Sequence, residues 1–165
     1  MRHYYNDFDK DCVEWLNYLQ DQKLIPYGEI DARPIQQIKA HEVDTYRQCH
    51  FFAGIGGWPE ALRLAAWDKR RSIWTASCPC QPFSQYGSRK RERDERHVWP
   101  YLFELIRQCR PSIIVGEQVE SEPGRIWLNN IFVDLESLGY DVAGADLCAA
   151  GVGALHIRKL SLIHI

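Results

Sequence analysis

Three short stretches carry residue types that could do chemistry. The first is Ser77-Cys78-Pro79-Cys80-Gln81-Pro82-Phe83-Ser84. It follows an apolar run, residues 72–76, that reads as a buried strand. Pro79 and Pro82 flank Cys80 and Gln81. Proline fixes its own φ and pushes the preceding residue toward extended backbone. A cysteine on a stiff turn at a strand end is presented rather than packed, and an accessible thiolate is a good nucleophile. The ordinary alternative for a lone cysteine is a small buried side chain beside a loop. The second stretch is Gly54-Ile55-Gly56-Gly57, between a predicted strand over 48–53 and a predicted helix over 59–67 that opens on Pro59. Strand, glycine turn, helix is the context of a nucleotide-type loop. Glycines let the backbone approach a ligand closely and the helix start supplies N–H donors; ordinary tight turns use the same residues. The third is Glu117, directly after the apolar run 112–116. A carboxylate there sits at the carboxyl edge of a sheet, where open α/β folds bind ligands. A surface or N-capping glutamate is the plainer reading.

The elements that must position these groups can be read from periodicity. Residues 9–23 carry apolar side chains at 12, 13, 15, 16 and 19, a helical spacing in which Trp15 and Leu16 read as core contacts. Residues 28–47 are polar, with a short helix expected at 34–40. Residues 95–109 read as a helix interrupted or restarted at Pro100. Residues 124–138 read as another, with Gly139 at its C-terminal end, and residues 140–148 as a strand. Alternation of strand and helix from residue 48 onward predicts an α/β fold with a parallel sheet of about four strands, near 48–53, 72–77, 112–116 and 141–147. The expected organisation is an N-terminal helical segment (1–47) beside the sheet, a main domain (48–159) and a short tail (160–165).

At 165 residues one domain is expected. A hydrophobic content of 45% and a charged content of 25% are those of an ordinary globular protein. No apolar run approaches the roughly 18 residues that span a bilayer, and the first residues lack an apolar signal region. The six cysteines follow neither a disulfide framework nor a paired Cys-x-x-Cys pattern. A reducing cytoplasm is therefore expected, without metal and without membrane. The net charge of −2 does not advertise a nucleic-acid binder. One basic cluster, Arg89-Lys90-Arg91 with Arg93 and Arg96, is interleaved with Glu92, Asp94 and Glu95. Its place just after the cysteine turn is what gives it a DNA-facing reading.

Pro79-Cys80-Gln81 resembles the catalytic motif of the DNA (cytosine-5) methyltransferases. His50-Phe51-Phe52-Ala53-Gly54-Ile55-Gly56-Gly57-Trp58 resembles that family's S-adenosylmethionine loop, and Gly116-Glu117-Gln118-Val119 stands where its Glu-Asn-Val motif belongs. The three occur in the family's order, and the likeness covers about residues 10–159. Signatures such as Trp74-Thr75-x-Ser77-Cys78-Pro79-Cys80 and Glu95-Arg96-His97-x-Trp99-Pro100 look like a compact branch found in bacteria and their phages. The resemblance implies a partial Rossmann-like, S-adenosylmethionine-dependent methyltransferase fold with a mostly parallel sheet. It also implies transfer of a methyl group to carbon 5 of a cytosine flipped out of double-stranded DNA, in a bacterial cell or a phage-infected host. It makes Cys80 the nucleophile on ring carbon 6, Glu117 the acid at ring nitrogen 3, and Arg158, in His156-Ile157-Arg158-Lys159-Leu160, the middle arginine of the family's arginine motif. Phe52 would pack against the adenine, Gly54, Gly56 and Gly57 would form the loop, and Pro79 and Trp99 would line the cofactor pocket.

The pattern also departs from the family. Gln118 replaces the usual asparagine, and Leu160 stands where the last arginine of its motif is expected. The stretch from Gly57 to Pro79 is short. Most members fit two more strands there, including an acidic residue for the ribose, and Asp68 is the nearby candidate. No counterpart of the target-recognition domain is found. Leu160-Ser161-Leu162-Ile163-His164-Ile165 is also what the codons CTG TCT CTT ATA CAC ATC encode, the start of a common transposon-end sequencing adapter, so a non-native tail is expected. The leading expectation is thus an inactive catalytic-half fragment that binds S-adenosylmethionine weakly. A non-catalytic cofactor-fold or DNA-binding module is the alternative. A nucleotide-binding α/β protein with a redox cysteine is a third reading.

Overall fold

The computed structural model describes residues 3–68, 70–79, 98–119, 122–155 and 159–164. Among these residues seven strands form one sheet: β1 (His3–Asn6), β2 (Gly28–Asp31), β3 (Gln48–Phe51), β4 (Ile73–Ala76), β5 (Ile114–Val119), β6 (Ala143–Cys148) and β7 (Lys159–His164). The spatial order is β2-β1-β3-β4-β5-β7-β6. The first five strands run parallel; β7 is antiparallel to both β5 and β6. Helices α1 (Lys10–Asp21), α2 (Ala40–Val43), α3 (Gly57–Leu64), α4 (Trp99–Cys109) and α5 (Glu122–Ser137) connect them. Two 3-10 turns, Ile35–Gln37 and Ala149–Val152, complete the regular structure of the described residues.

Alternation along the short central strands sends neighbouring residues to opposite faces of the sheet. Tyr4, Cys49, Phe51, Trp74, Ala76 and Ile114 join the larger core with Leu102, Leu105 and Ile106 of α4 and Leu128, Ile131 and Leu135 of α5. Tyr5 joins a smaller core with Leu16 and Leu19 of α1, Ile25 and Ala53. The central strands are buried on both faces, as parallel strands covered by crossovers should be. His50 sits among them fully buried, stacked on Tyr5 with ring centroids 5.1 Å apart and with Nδ1 2.8 Å from the Thr75 hydroxyl.

The α/β, mostly parallel architecture is the one expected, and the strands near 48–53, 72–77, 112–116 and 141–147 are all present. Two features differ. The segment 1–47 is not a helical appendage, because its first residues and Gly28–Asp31 form two parallel strands of the sheet itself. Each is only four residues long, too short for alternation to show against a polar background. The strand expected near 141–147 exists as β6 and runs in the same direction as the first five strands, but it does not pair with them, because β7 lies between it and β5, antiparallel to both. Its partner is β7, formed from residues that the sequence reading set aside as tail. Ser161, buried in β7, donates to Asp146 Oδ1 of β6 at 2.5 Å, and Arg125 of α5 reaches the other carboxylate oxygen at 3.3 Å.

The sheet thus has the two strands that the short stretch from Gly57 to Pro79 could not supply. They come from before the glycine loop rather than after it, and β1 lies directly beside the loop's own strand β3.

Candidate active site

The glycine loop leaves β3 at the carboxyl edge of the parallel strands through three left-handed residues: Phe52 (φ +52°), Gly54 (φ +53°) and Gly56 (φ +77°). Left-handed backbone costs a phenylalanine about 1–2 kcal/mol, so the surroundings must impose it. They do so mainly from the end of β1 and the residue after it. Ala53 N–H donates to the Asn6 carbonyl at 3.0 Å, and Gly54 N–H donates to Asp7 Oδ2 at 2.7 Å. Trp15 Nε1–H of α1 donates to the Ile55 carbonyl at 3.2 Å. Gly56 is buried, and a Cβ there would come within 3.0 Å of Leu19 Cδ1, so this glycine serves the packing of α1. Beside Gly54 the space is open. The nearest atom to a Cβ would be the Phe52 carbonyl oxygen at 4.0 Å. α3 begins immediately after, at Gly57.

Between this loop, the end of β1 and the turn after β2 lies a cleft of about 490 Å³. Asp7, Phe8 and Asp9 form one wall, and Pro34, Ile35 and Gln36 another. Phe52, Pro79 and Val98 close the third side. The volume falls in the range of small-molecule sites. Asp7 is engaged through Gly54 N–H at Oδ2 and Asp9 N–H at Oδ1, 3.0 Å away. Each carboxylate oxygen has two acceptor positions, so capacity remains for hydroxyl donors. Asp9 caps α1, accepting from Asp11 and Cys12 N–H at 2.9 and 3.1 Å. The second wall is fixed by Asp31, whose carboxylate accepts from Tyr4 Oη at 2.8 Å and from Arg33 Nη2 at 2.6 Å. Burial alone would raise the Asp31 pKa, but the hydrogen bonds from Arg33 and Tyr4 outweigh it and hold the carboxyl below its usual range.

Of the expected cofactor residues, Phe52 and Pro79 line this cleft and Gly54 adjoins it through Phe52 and Asp7. Trp99 does not line it. Its indole donates to Asp134 Oδ2 at 2.7 Å and its ring meets Trp127 edge-on, so it packs between α4 and α5 while its neighbour Val98 faces the cleft. Asp68 is also elsewhere. It precedes β4, at the opposite edge of the sheet, and is exposed and paired with Arg70. The sequence reading missed Asp7 and Phe8. Their signal is faint: a carboxylate and an aromatic directly after the short, half-polar stretch His3-Tyr4-Tyr5-Asn6, whose pattern does not announce a strand.

Cys80 and Arg158 lie outside the described residues, as does the basic cluster at 89–96. The approach to Cys80 is described as far as Pro79. Ser77 Oγ accepts from Trp58 Nε1 of α3 at 3.0 Å, and the Cys78 carbonyl accepts from Gln118 Nε2 of β5 at 3.1 Å. Gln118 is buried, so the residue that replaces the usual asparagine ties the end of β5 to the turn. Glu117 precedes it, one position past Gly116, the last residue of β5 paired with β4, and therefore at the same carboxyl edge. Burial pushes the Cys78 thiol well up, and likewise that of Cys49. Cys12 and Cys109 are each raised to about 11, with burial the largest cause. These four are therefore thiols at neutral pH, poor nucleophiles. Among the described residues no cluster of metal-ligating side chains occurs. No helix among them is long and apolar enough to cross a membrane.

The family model for C-5 cytosine-specific DNA methylase matches residues 67–159, more than half of the chain. The chain is 38% identical over 66 residues to the type II methyltransferase M.AplI of Arthrospira platensis, a match covering 39% of this chain and 19% of that protein. Among solved structures it resembles a mutant DNMT2 of Spodoptera frugiperda (TM-score 0.62, 19% identity), over 98% of this chain and 41% of that one. A putative DNA modification methyltransferase encoded within an E. coli prophage is similar too (TM-score 0.60, 16% identity, 99% and 39% covered). So is the S. pombe Dnmt2 methyltransferase (TM-score 0.61, 14% identity, 99% and 50% covered). The chain thus spans half or less of the length of each of these relatives, and the structural likenesses speak for the fold alone. The family match over more than half of its length makes the chain a member of the C-5 cytosine-specific DNA methylase family.

Proposed function

We propose that these residues form the cofactor-binding and nucleophile-bearing part of an enzyme that methylates carbon 5 of cytosine in double-stranded DNA. Because the chain spans half or less of its relatives' lengths, the activity is proposed for a protein that also carries the remaining parts. The observation that carries the reading is the gathering of Phe52, Pro79 and the Asp7 carboxylate around one cleft beside the glycine loop, at the sheet edge where β5 presents Glu117.

The cleft suits S-adenosylmethionine on its own chemistry. Asp7 offers acceptor positions for ribose hydroxyls, the place for which Asp68 had been considered, and Asp7 and Asp9 give a negative wall that favours a cationic ligand. Phe52 and Phe8 supply aromatic faces and Ile35 and Val98 apolar contact for a purine. The open space beside Gly54 lets the ligand approach the backbone. When bound, S-adenosylmethionine supplies an activated methyl group.

The chain's own residues do the rest. The Cys80 thiolate forms a bond to ring carbon 6, Glu117 delivers a proton to ring nitrogen 3, and carbon 5 gains enamine character. Once carbon 5 carries the methyl group, solvent water takes its proton, the bond between carbon 6 and sulfur breaks to release the Cys80 thiolate, and ring nitrogen 3 returns its proton to Glu117. Arg158 is proposed to stand by the base. Gln118 and Trp58 hold the turn that carries the nucleophile, through Cys78 and Ser77. Burial keeps Cys78 protonated, which leaves Cys80 as the reactive thiol of the pair.

The test is covalent trapping on DNA containing 5-fluorocytosine by a full-length enzyme with these residues. An adduct that survives Cys78→Ala and disappears in Cys80→Ser is expected. An adduct that persists in Cys80→Ser would refute the mechanism. Glu117→Gln should slow methyl transfer strongly, because an amide is far too weak an acid to transfer a proton to ring nitrogen 3.

A further inference from the structure

We infer that Trp15 is a positioning residue for the glycine loop, latching α1 to the Ile55 carbonyl and so holding the loop in its ligand-receiving shape. The inference rests on the cofactor reading above. Trp15 is 45% exposed rather than buried, although its helical spacing had placed it in the core. What orders it is polar and aromatic contact: the indole N–H on Ile55 O at 3.2 Å, and a stack on Tyr18 with centroids 5.3 Å apart. α1 is itself a rigid base. Asp9 caps its start, and Leu16 and Leu19 are buried on the adjoining face.

The loop needs such a base. It contains three left-handed residues, one of them Phe52, and Ile55 at its tip is 76% exposed, so apolar packing there contributes little. The loop is held at Ala53 by Asn6, at Gly54 by Asp7 and at Ile55 by Trp15. The first two holds sit at the base of the loop, whereas the third fixes its tip. Asn6, Asp7 and Trp15 all come from the first sixteen residues. The segment that adds β1 to the sheet therefore also sets the geometry of the loop beside it.

The experiment uses residues 1–165 with Trp15→Phe, which keeps an aromatic ring to stack on Tyr18 and removes only the N–H donor. Amide hydrogen exchange is read at Gly54 and Gly56, with Cys49 and Phe51 of β3 as internal references. One exposed hydrogen bond is worth a few-fold in an equilibrium, so exchange at the two loop amides should rise about two- to tenfold while the β3 amides stay unchanged. In parallel, affinity for S-adenosylhomocysteine should fall by about the same factor, with the thermal midpoint unmoved. Unchanged loop exchange would overturn the latch. So would an equal rise across β3, which would make Trp15 a general stability residue. If the unsubstituted chain shows no affinity for S-adenosylhomocysteine, the cofactor reading fails, and the exchange result alone decides whether the latch exists.

Discussion

The two ends of the sheet are built differently. On the β2-β1-β3 side, β1 and β3 are buried on both faces, and the strands carry specific polar anchors at their carboxyl ends: Asn6 and Asp7 on the loop, and Asp31 gripped by Tyr4 and Arg33. On the β7-β6 side the first five residues of β6 are exposed, and the described anchors are one hydroxyl and one half-exposed ion pair. Rigidity is concentrated where a small ligand would be held, and the antiparallel end is the lighter construction. Local stability should follow the same gradient, since exposed strands with few buried contacts open more readily.

The contrast can be broken at several points. Gly54→Asp should have the largest effect, the loss of measurable S-adenosylhomocysteine binding by calorimetry. It puts a side chain into the open space beside the loop and a second carboxylate next to Asp7. Retained binding would show that the ligand does not approach the loop there.

Acid should next unpick the β1-β3 side. Burial, and secondarily the charge of His3, hold the His50 pKa down at about 3, so the folded protein keeps this imidazole neutral. A group with a depressed folded pKa contributes stability above its unfolded value, near 6.5, and that stability is lost as pH falls toward 3. Unfolding free energy from urea titrations should therefore drop by about 1.4 kcal/mol per pH unit below 6.5. The depressed Asp31 carboxyl adds a loss of the same sign at lower pH. Stability independent of pH between 6 and 4 would contradict the buried neutral His50.

Asp7→Asn should weaken S-adenosylhomocysteine binding by about ten- to a hundredfold, the worth of a charge-assisted hydrogen bond. The amide oxygen can still take the Gly54 N–H, so the fold should survive. At the other end of the sheet, Arg125→Ala removes a pair whose side chains are about half exposed. It should cost no more than about 1 kcal/mol and leave binding unchanged.

How much of this was legible in the sequence depended on run length and periodicity. Runs of apolar residues bounded by glycine or proline announced β3, β4 and β5, and α5 and the loop–helix junction at α3 were read within a few residues. The motifs lead to the expectation that Phe52, Gly54, Cys80 and Glu117 lie at one sheet edge; Cys80 falls outside the described residues. β1 and β2 were not legible, because His3–Asn6 and Gly28–Asp31 are short and half polar. Their strand character comes from pairing with β3 and with each other rather than from local pattern. Asp7 was invisible for that reason: a carboxylate becomes a site residue only once the strand before it is placed beside the glycine loop. Trp15 was misassigned because helical periodicity marks a face, and this indole lies at the border of that face, where a carbonyl of the loop was within reach. β7 was missed because its residues make a strand only between β5 and β6.

The most direct test of the central claim, that the N-terminal segment and the glycine loop together form the cofactor site, is an amide chemical-shift titration of residues 1–165 with S-adenosylhomocysteine. The account predicts that the shifts concentrate at Asn6, Asp7, Phe8 and Asp9, at Phe52 through Gly57, and at Val98, with β6 silent. Shifts confined to residues after Gly54, leaving Asn6 through Asp9 unmoved, would contradict it.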